Sequence, residues 1–186
     1  MKEIEVKILD IDRKKVEETL VRLGAKKVFD GDIETLFFDF NDGRIINAKD
    51  VLRLRKEQDR TELTYKKVSA TQMAKVAEEF SVEVSSLETM KKILENLGLS
   101  EIENMKKHRT SYLLDLTRFD IDHYLGGYEY IPDFLEIEAE NIDLIHKYAE
   151  VLGFTAKDCL PWSTNELIHY YSPKKAKTKN TKLVNS

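Results

Sequence analysis

The sequence predicts an α+β fold in which amphipathic strands alternate with capped helices, and three observations carry that prediction. Glu3-Ile4-Glu5-Val6-Lys7 places charges at every second position, so Ile4, Val6 and Ile8 share one face of a strand and Glu3, Glu5 and Lys7 the other. The same pattern returns late in the chain at Glu136-Ile137-Glu138. Between and after such strands lie segments of helical period that stop at Leu-Gly. The unit of acidic strand, capped helix and glycine stop recurs from Glu3 to Gly24, from Glu79 to Gly98 and from Glu136 to Gly153.

Taken in order, Asp12 is placed to cap a first helix with Val16, Leu20 and Leu23 on its apolar face and Gly24 at its end. Ile33 to Phe40 is a strand closed by the turn residues Asn41-Asp42-Gly43. Val51 to Arg55 alternates leucine with arginine, and after a turn at Asp59 and Arg60 the strand Thr61 to Val68 sets Glu62, Thr64 and Lys66 on one face. Residues 68–76 carry no apolar pattern and are expected to form an exposed loop. Glu79 to Ser85 alternates again, and Ser86 caps a second helix with Leu87, Met90, Ile93, Leu94 and Leu97 as its apolar positions. Strands are expected at Glu101 to Lys107, His108 to Leu116, Arg118 to His123 and Phe134 to Glu140. A third helix follows from Asn141 to Leu152, and a short last one from Ser163 to Tyr170. Residues 1–172 therefore form one domain, and the lysine-rich tail, 173–186, is expected to be disordered.

Composition narrows the function classes. Across 186 residues, 41% hydrophobic and 34% charged is the balance of a soluble globular domain with many charges to place. No apolar run approaches the roughly 20 residues that cross a bilayer, so a cytoplasmic protein without membrane attachment is expected. Net charge of −4 argues against a general nucleic-acid surface. The single cysteine, Cys159, excludes an internal disulfide, and the histidines lack metal-ligand spacing.

The charges on the strands need a home. Cations are Lys7, Arg53, Arg55, Lys66, Lys107 and Arg109; acids are Glu3, Glu5, Glu79, Asp122, Glu136 and Glu138. An open sandwich would turn these faces to solvent, whereas a closed barrel with its apolar faces on helices would gather them in a lumen. Acids confined together favour a hard divalent cation, Mg²⁺ or Mn²⁺, and confined arginines favour phosphate oxygens. A metal-bound triphosphate meets both demands. Outer strand faces that the helices leave uncovered would suit a homodimer.

The ordered set Glu3-x-Glu5-x-Lys7, Leu52-Arg53-Leu54-Arg55, the Lys66 strand, Lys107-x-Arg109-x-x-Tyr112, Ile121-Asp122 and Ile131-Pro132-x-Phe134-Leu135-Glu136-Ile137-Glu138 resembles the CYTH superfamily, the triphosphate tunnel metalloenzymes. The resemblance spans about residues 1 to 171. It implies an eight-stranded antiparallel closed β-barrel, a tunnel open at both ends, acting on triphosphates with a divalent metal. By that resemblance Lys7, Arg53, Arg55, Lys66 and Arg109 bind the triphosphate with Lys107 as a helper. Glu3, Glu5, Glu136 and Glu138 form the metal site, assisted by Asp122 and Glu79. The residues expected to matter most for turnover are Glu5, Lys7, Arg55 and Glu138.

One departure bears on activity. The segment from Tyr124 to Pro132 is longer than the Leu-Gly-x-Phe spacer of many class IV adenylate cyclases, which turns the expectation toward metal-dependent hydrolysis of a triphosphate. The substrate classes in view are inorganic tripolyphosphate, thiamine triphosphate and nucleoside triphosphates. The alternatives are conversion of ATP to cyclic AMP and pyrophosphate, and non-catalytic binding of polyphosphate or nucleotide. A pure binder could dispense with the acids that this chain retains.

Overall fold

The computed structural model describes residues 4–71 and 74–172, so Glu3 and the tail 173–186 lie outside the described residues. The chain runs β1 (Ile4–Ile8), α1 (Arg13–Arg22), β2 (Lys26–Phe40), α2 (Arg44–Asn47), β3 (Val51–Glu57), β4 (Arg60–Thr71), β5 (Ala74–Val84), α3 (Leu87–Asn96), β6 (Leu99–Leu114), β7 (Thr117–Leu125), β8 (Phe134–Ala139), α4 (Ile142–Val151) and α5 (Thr164–Tyr171). The eight strands form one antiparallel sheet in the order β1-β8-β7-β6-β2-β3-β4-β5.

The starts of α1 and α3 follow the caps read from the sequence, Asp12 and Ser86, and α4 and α5 are capped as well. The side chains of Asp12, Ser86 and Asn141 accept from the backbone N–H three residues on, and Ser163 with Glu166 makes a reciprocal capping box. Of the segment read as a loop over 68–76, residues 68–71 and 74–76 instead continue β4 and β5, in register from Val68↔Ala77 to Thr71↔Ala74, and residues 72 and 73 lie outside the described residues. Backbone pairing makes this ribbon, and an apolar pattern is no guide to it. The two strands expected between Glu101 and Leu116 are one, β6, and β2 begins at Lys26 rather than Ile33.

The sheet carries helices on its convex face and charge on its concave face. Val6, Ile8, Phe119, Ile121, Leu135 and Ile137 pack with Val16 and Leu20 of α1 and with Ile145, Tyr148 and Ala149 of α4. Leu36, Phe38 and Leu54 pack with Ile45 of α2 and Leu94 of α3. Each such fully buried side chain contributes about 1.5–3 kcal/mol of transfer free energy. Asp39 anchors α2 to the sheet, accepting from the backbone N–H of Phe40, Ile45 and Ile46 at 2.7, 3.0 and 3.0 Å. Because it is almost fully buried, Asp39→Ala is expected to cost about 2–3 kcal/mol, read as a lower urea midpoint at unchanged m-value.

The sheet is coiled, but its ladder does not close as expected among the described residues. Four strands separate β1 from β3 in the sheet, which on a flat sheet would place them about 24 Å apart. Glu5 nevertheless acts electrostatically on Arg53, so the sheet curls until these walls face each other. The ends of the ladder are β1 and β5. The outer edge of β1 is taken by Leu160, which exchanges backbone hydrogen bonds with Lys7 at 2.8 and 2.9 Å. One part of the concave face is also covered, because Leu167 of α5 is buried among Met105, Tyr124, Ile131 and Phe134. Phe134, Tyr124 and Met105 share the face of Glu136, Asp122 and Lys107 by strand alternation, so α5 caps one end of the charged surface.

Candidate active site: a charged lumen

Register stacks the charges in rows. Glu138 lies between Glu5 of β1 and Arg118 of β7; one step along, Glu136 lies between Lys7 and Asp120. The next positions on β7 and β6 pair Asp122 with Arg109, then Tyr124 with Lys107. Directly opposed side chains in a ladder are about 5 Å apart at Cβ, so these charges must satisfy one another or a ligand.

Most of them satisfy one another. Lys7, almost fully buried, donates to Glu5 at 2.5 Å and to Glu136 at 2.9 Å. Burial opposes its charge, but Glu136 and Glu5 hold its pKa above the ordinary lysine value. Arg109 is enclosed by carboxylates: its Nε and one terminal nitrogen reach Asp122 at 2.6 and 2.5 Å, its other terminal nitrogen reaches Asp120 at 2.5 Å, and it also donates to Glu136. Lys107 donates to Asp122 at 2.5 Å. Burial and the Arg109 guanidinium push Lys107 down in pKa against the pull of Asp122 and Glu136.

On the facing wall, Glu79 pairs with Lys66 at 2.7 Å and with Arg53 at 3.5 Å, and Arg55 reaches Glu57 at 3.5 Å. This wall is under-supplied with acceptors. The Nε atoms of Arg53 and Arg55 are buried without a hydrogen-bond partner. Burial and the neighbouring Arg55 push Arg53 down to about 10, which leaves it charged at neutral pH and short of anions. A buried arginine pair left in this state is poised for an anion with several oxygens.

Of the acids that the resemblance assigns to a metal site, Asp122 pairs with Arg109 and Lys107, Glu79 with Lys66 and Arg53, and Glu136 with Lys7 and Arg109. Among the described residues no three histidine, cysteine or carboxylate groups are assembled to hold a metal ion. Glu5 and Glu138 offer oxygen donors adjacent across the β1–β8 ladder, with Glu5 about half exposed, and such donors suit a hard divalent cation. Asp120 and Arg118 were missed, although Arg118-x-Asp120-x-Asp122-x-Tyr124 shows the alternation that singled out the other strands. Asp120 is almost fully buried and binds both Arg109 and Arg118.

Burial raises the cost of ionising Glu136, yet Lys107, Arg109 and Lys7 together hold its pKa well below the ordinary 4.5. A carboxyl whose folded pKa is depressed stabilises the fold above its unfolded pKa and loses that contribution as pH falls through the folded value. Stability is therefore expected to be insensitive to Glu136 above about pH 4.5 and to fall below it. Urea midpoints between pH 3 and 7 check this, with a shallower acid limb expected for Glu136→Gln.

The CYTH domain family model matches residues 1–154 of this chain, the span that holds every strand of the lumen. The chain belongs to the CYTH family. Members of the CYTH family are generally dependent on divalent metals. A Methanocaldococcus jannaschii protein with a provisional adenylate cyclase name is 30% identical over 147 residues, 79% of this chain and 82% of that protein. Among solved structures, a Pyrococcus horikoshii protein is similar at a TM-score of 0.72 and 26% identity, covering 89% of this chain and 98% of its own. A Hippeastrum protein, provisionally named an adenylyl cyclase and described as having a dominant triphosphatase activity, shares the fold at a TM-score of 0.64 and 14% identity, covering 91% and 96%. No helix among the described residues is long and apolar enough to cross a membrane.

Proposed function

We propose that this CYTH chain hydrolyses a triphosphate inside the lumen, with inorganic tripolyphosphate, thiamine triphosphate and nucleoside triphosphates as the substrate classes. The observation that carries the reading is the buried, unpartnered Nε of both Arg53 and Arg55 facing a wall of carboxylates. The dominant triphosphatase activity described for the Hippeastrum protein on the same fold supports it.

Each residue has a task set by its surroundings. Arg53 and Arg55 grip the phosphate chain, since their planar forks match phosphate oxygens and their present contacts are long. Lys66 and Lys107 flank them. Lys7 keeps its proton between Glu5 and Glu136, so it acts as a donor to developing negative charge and not as a base. Glu5 and Glu138 would hold Mg²⁺ or Mn²⁺, which when bound offsets charge on the transferred phosphoryl group and lowers the pKa of water. The reaction needs no covalent nucleophile: water attacks in line and the shortened phosphate leaves.

Arg55→Ala is expected to raise KM about tenfold or more with a smaller fall in kcat, because it removes a ground-state contact. Steady-state kinetics on whichever triphosphate turns over best checks this split. The reading as a whole is tested by phosphate release from tripolyphosphate, thiamine triphosphate and ATP with Mg²⁺ and with Mn²⁺. Release from at least one is expected; none from any, with either metal, contradicts it.

A further inference from the structure

The segment from Tyr124 to Pro132, longer than the short spacer it replaces, is built around aromatic rings. Gly126 turns the chain back at the end of β7 with φ at +65°, where a residue with a Cβ would be strained. A single 3₁₀ turn, Gly126–Tyr128, then lays Tyr128 beside Tyr124, with ring centroids 6.0 Å apart. Tyr124 stacks on Phe134 at 5.7 Å, and Tyr130 stands 6.3 Å from Tyr128. The rings of Phe134, Tyr124, Tyr128 and Tyr130 thus run without a break from the interior to the surface. Phe134 and Tyr124 are buried, whereas Tyr130 is 43% exposed.

The run is held in place and lies against the cations that the proposed function assigns to phosphate. Ile131 is fully buried and its backbone N–H donates to the Tyr128 carbonyl at 3.0 Å, while the Tyr128 hydroxyl is hydrogen-bonded to Glu103. The Lys107 ammonium stands 6.0 Å from the centre of the Tyr124 ring. Phe37, which packs in the same apolar cluster as Tyr124 and Tyr128, is the direct register partner of Arg53. Closing this end of the lumen explains Phe134 and Tyr124, which Leu167 covers. It does not explain two further tyrosines, one of them left in solvent. A bare phosphate chain has no flat face to stack on them, but an aromatic heterocycle esterified to its end does.

We propose that Tyr128 and Tyr130 form a stacking platform for the flat heterocycle of a triphosphate ester, a nucleobase or the rings of thiamine, and so set a preference of the lumen for such esters over inorganic tripolyphosphate. Both rings come from the longer segment between Asp122 and Glu136. This inference rests on the triphosphate reading and narrows it to the ester substrates. The two tyrosines select the substrate and take no part in the chemical step.

Steady-state kinetics of the full chain on ATP, thiamine triphosphate and tripolyphosphate read the preference as the kcat/KM for an ester divided by that for tripolyphosphate. In Tyr130→Ala this ratio should fall about tenfold, through KM, for at least one ester. In Tyr130→Phe, which keeps the ring, it should stay near the wild-type value. Tyr128→Leu should lower it likewise; Tyr128 is half-buried and Tyr130 exposed, so Tyr130→Ala carries the test should Tyr128→Leu fail to fold. A fall for ATP alone supports the platform and identifies a nucleobase; a fall for thiamine triphosphate alone supports it and identifies the thiamine rings. A ratio unchanged in Tyr130→Ala for both esters, or lowered equally in Tyr130→Phe, overturns the platform. Turnover of tripolyphosphate with neither ester overturns it too, while leaving the triphosphate reading standing. No turnover of any of the three overturns both.

Discussion

Glu138→Gln is expected to lower kcat by about 100-fold or more while leaving the folded chain intact. The substitution keeps the shape of a partly buried side chain on β8 and removes one of the two carboxylates that stand opposite each other at the rim. Glutamine is a weaker donor of oxygen to a hard cation and carries no charge to balance it. The backbone register of β8 between β1 and β7 does not depend on that charge, so the thermal unfolding midpoint should move little. Comparing kcat and Tm for the pair of proteins makes the check. Wild-type turnover in Glu138→Gln would remove Glu138 from the metal site.

Arg109→Met is expected to be the most destabilising substitution in the lumen, by about 3–5 kcal/mol. Arg109 is the hub for Asp120, Asp122 and Glu136, and all three carboxylates are largely buried. Methionine keeps much of the volume but, among the described residues, leaves their charges with Arg118, Lys107 and Lys7. Arg109→Lys should be less damaging, since it retains one positive charge but lacks the fork that spans three acids. Urea denaturation of both variants tests the ranking. Equal losses would mean that packing and not charge holds this wall together.

Local features of the fold were legible because they are written in neighbouring residues. Asp12 and Ser86 announce their helices, and the alternation in Glu5-Val6-Lys7 and Leu54-Arg55 assigns each side chain a face that the sheet respects. Long-range features were not. The strand order sets β1 beside β8 and leaves the β1 edge to Leu160, and nothing in either segment encodes the other. The capping of the lumen by α5 depends on Leu167 meeting Met105, Tyr124 and Phe134 from distant strands. Within the site, sequence found the charged residues but not who neutralises whom. Glu136 was legible as an acid in a lumen, while its engagement by Lys7 and Arg109 depends on the register of three strands. Asp120 was not singled out within the strand expected from Arg118 to His123, although its i, i+2 relation to Asp122 places both on the charged face.

The most direct test of hydrolysis in the lumen is a ³¹P NMR time course of ATP with Mg²⁺ and the full chain. Hydrolysis predicts a growing orthophosphate resonance with matching ADP signals, lost together in Glu138→Gln. Growth of pyrophosphate with cyclic AMP and no orthophosphate would contradict the account and assign the lumen to cyclisation instead.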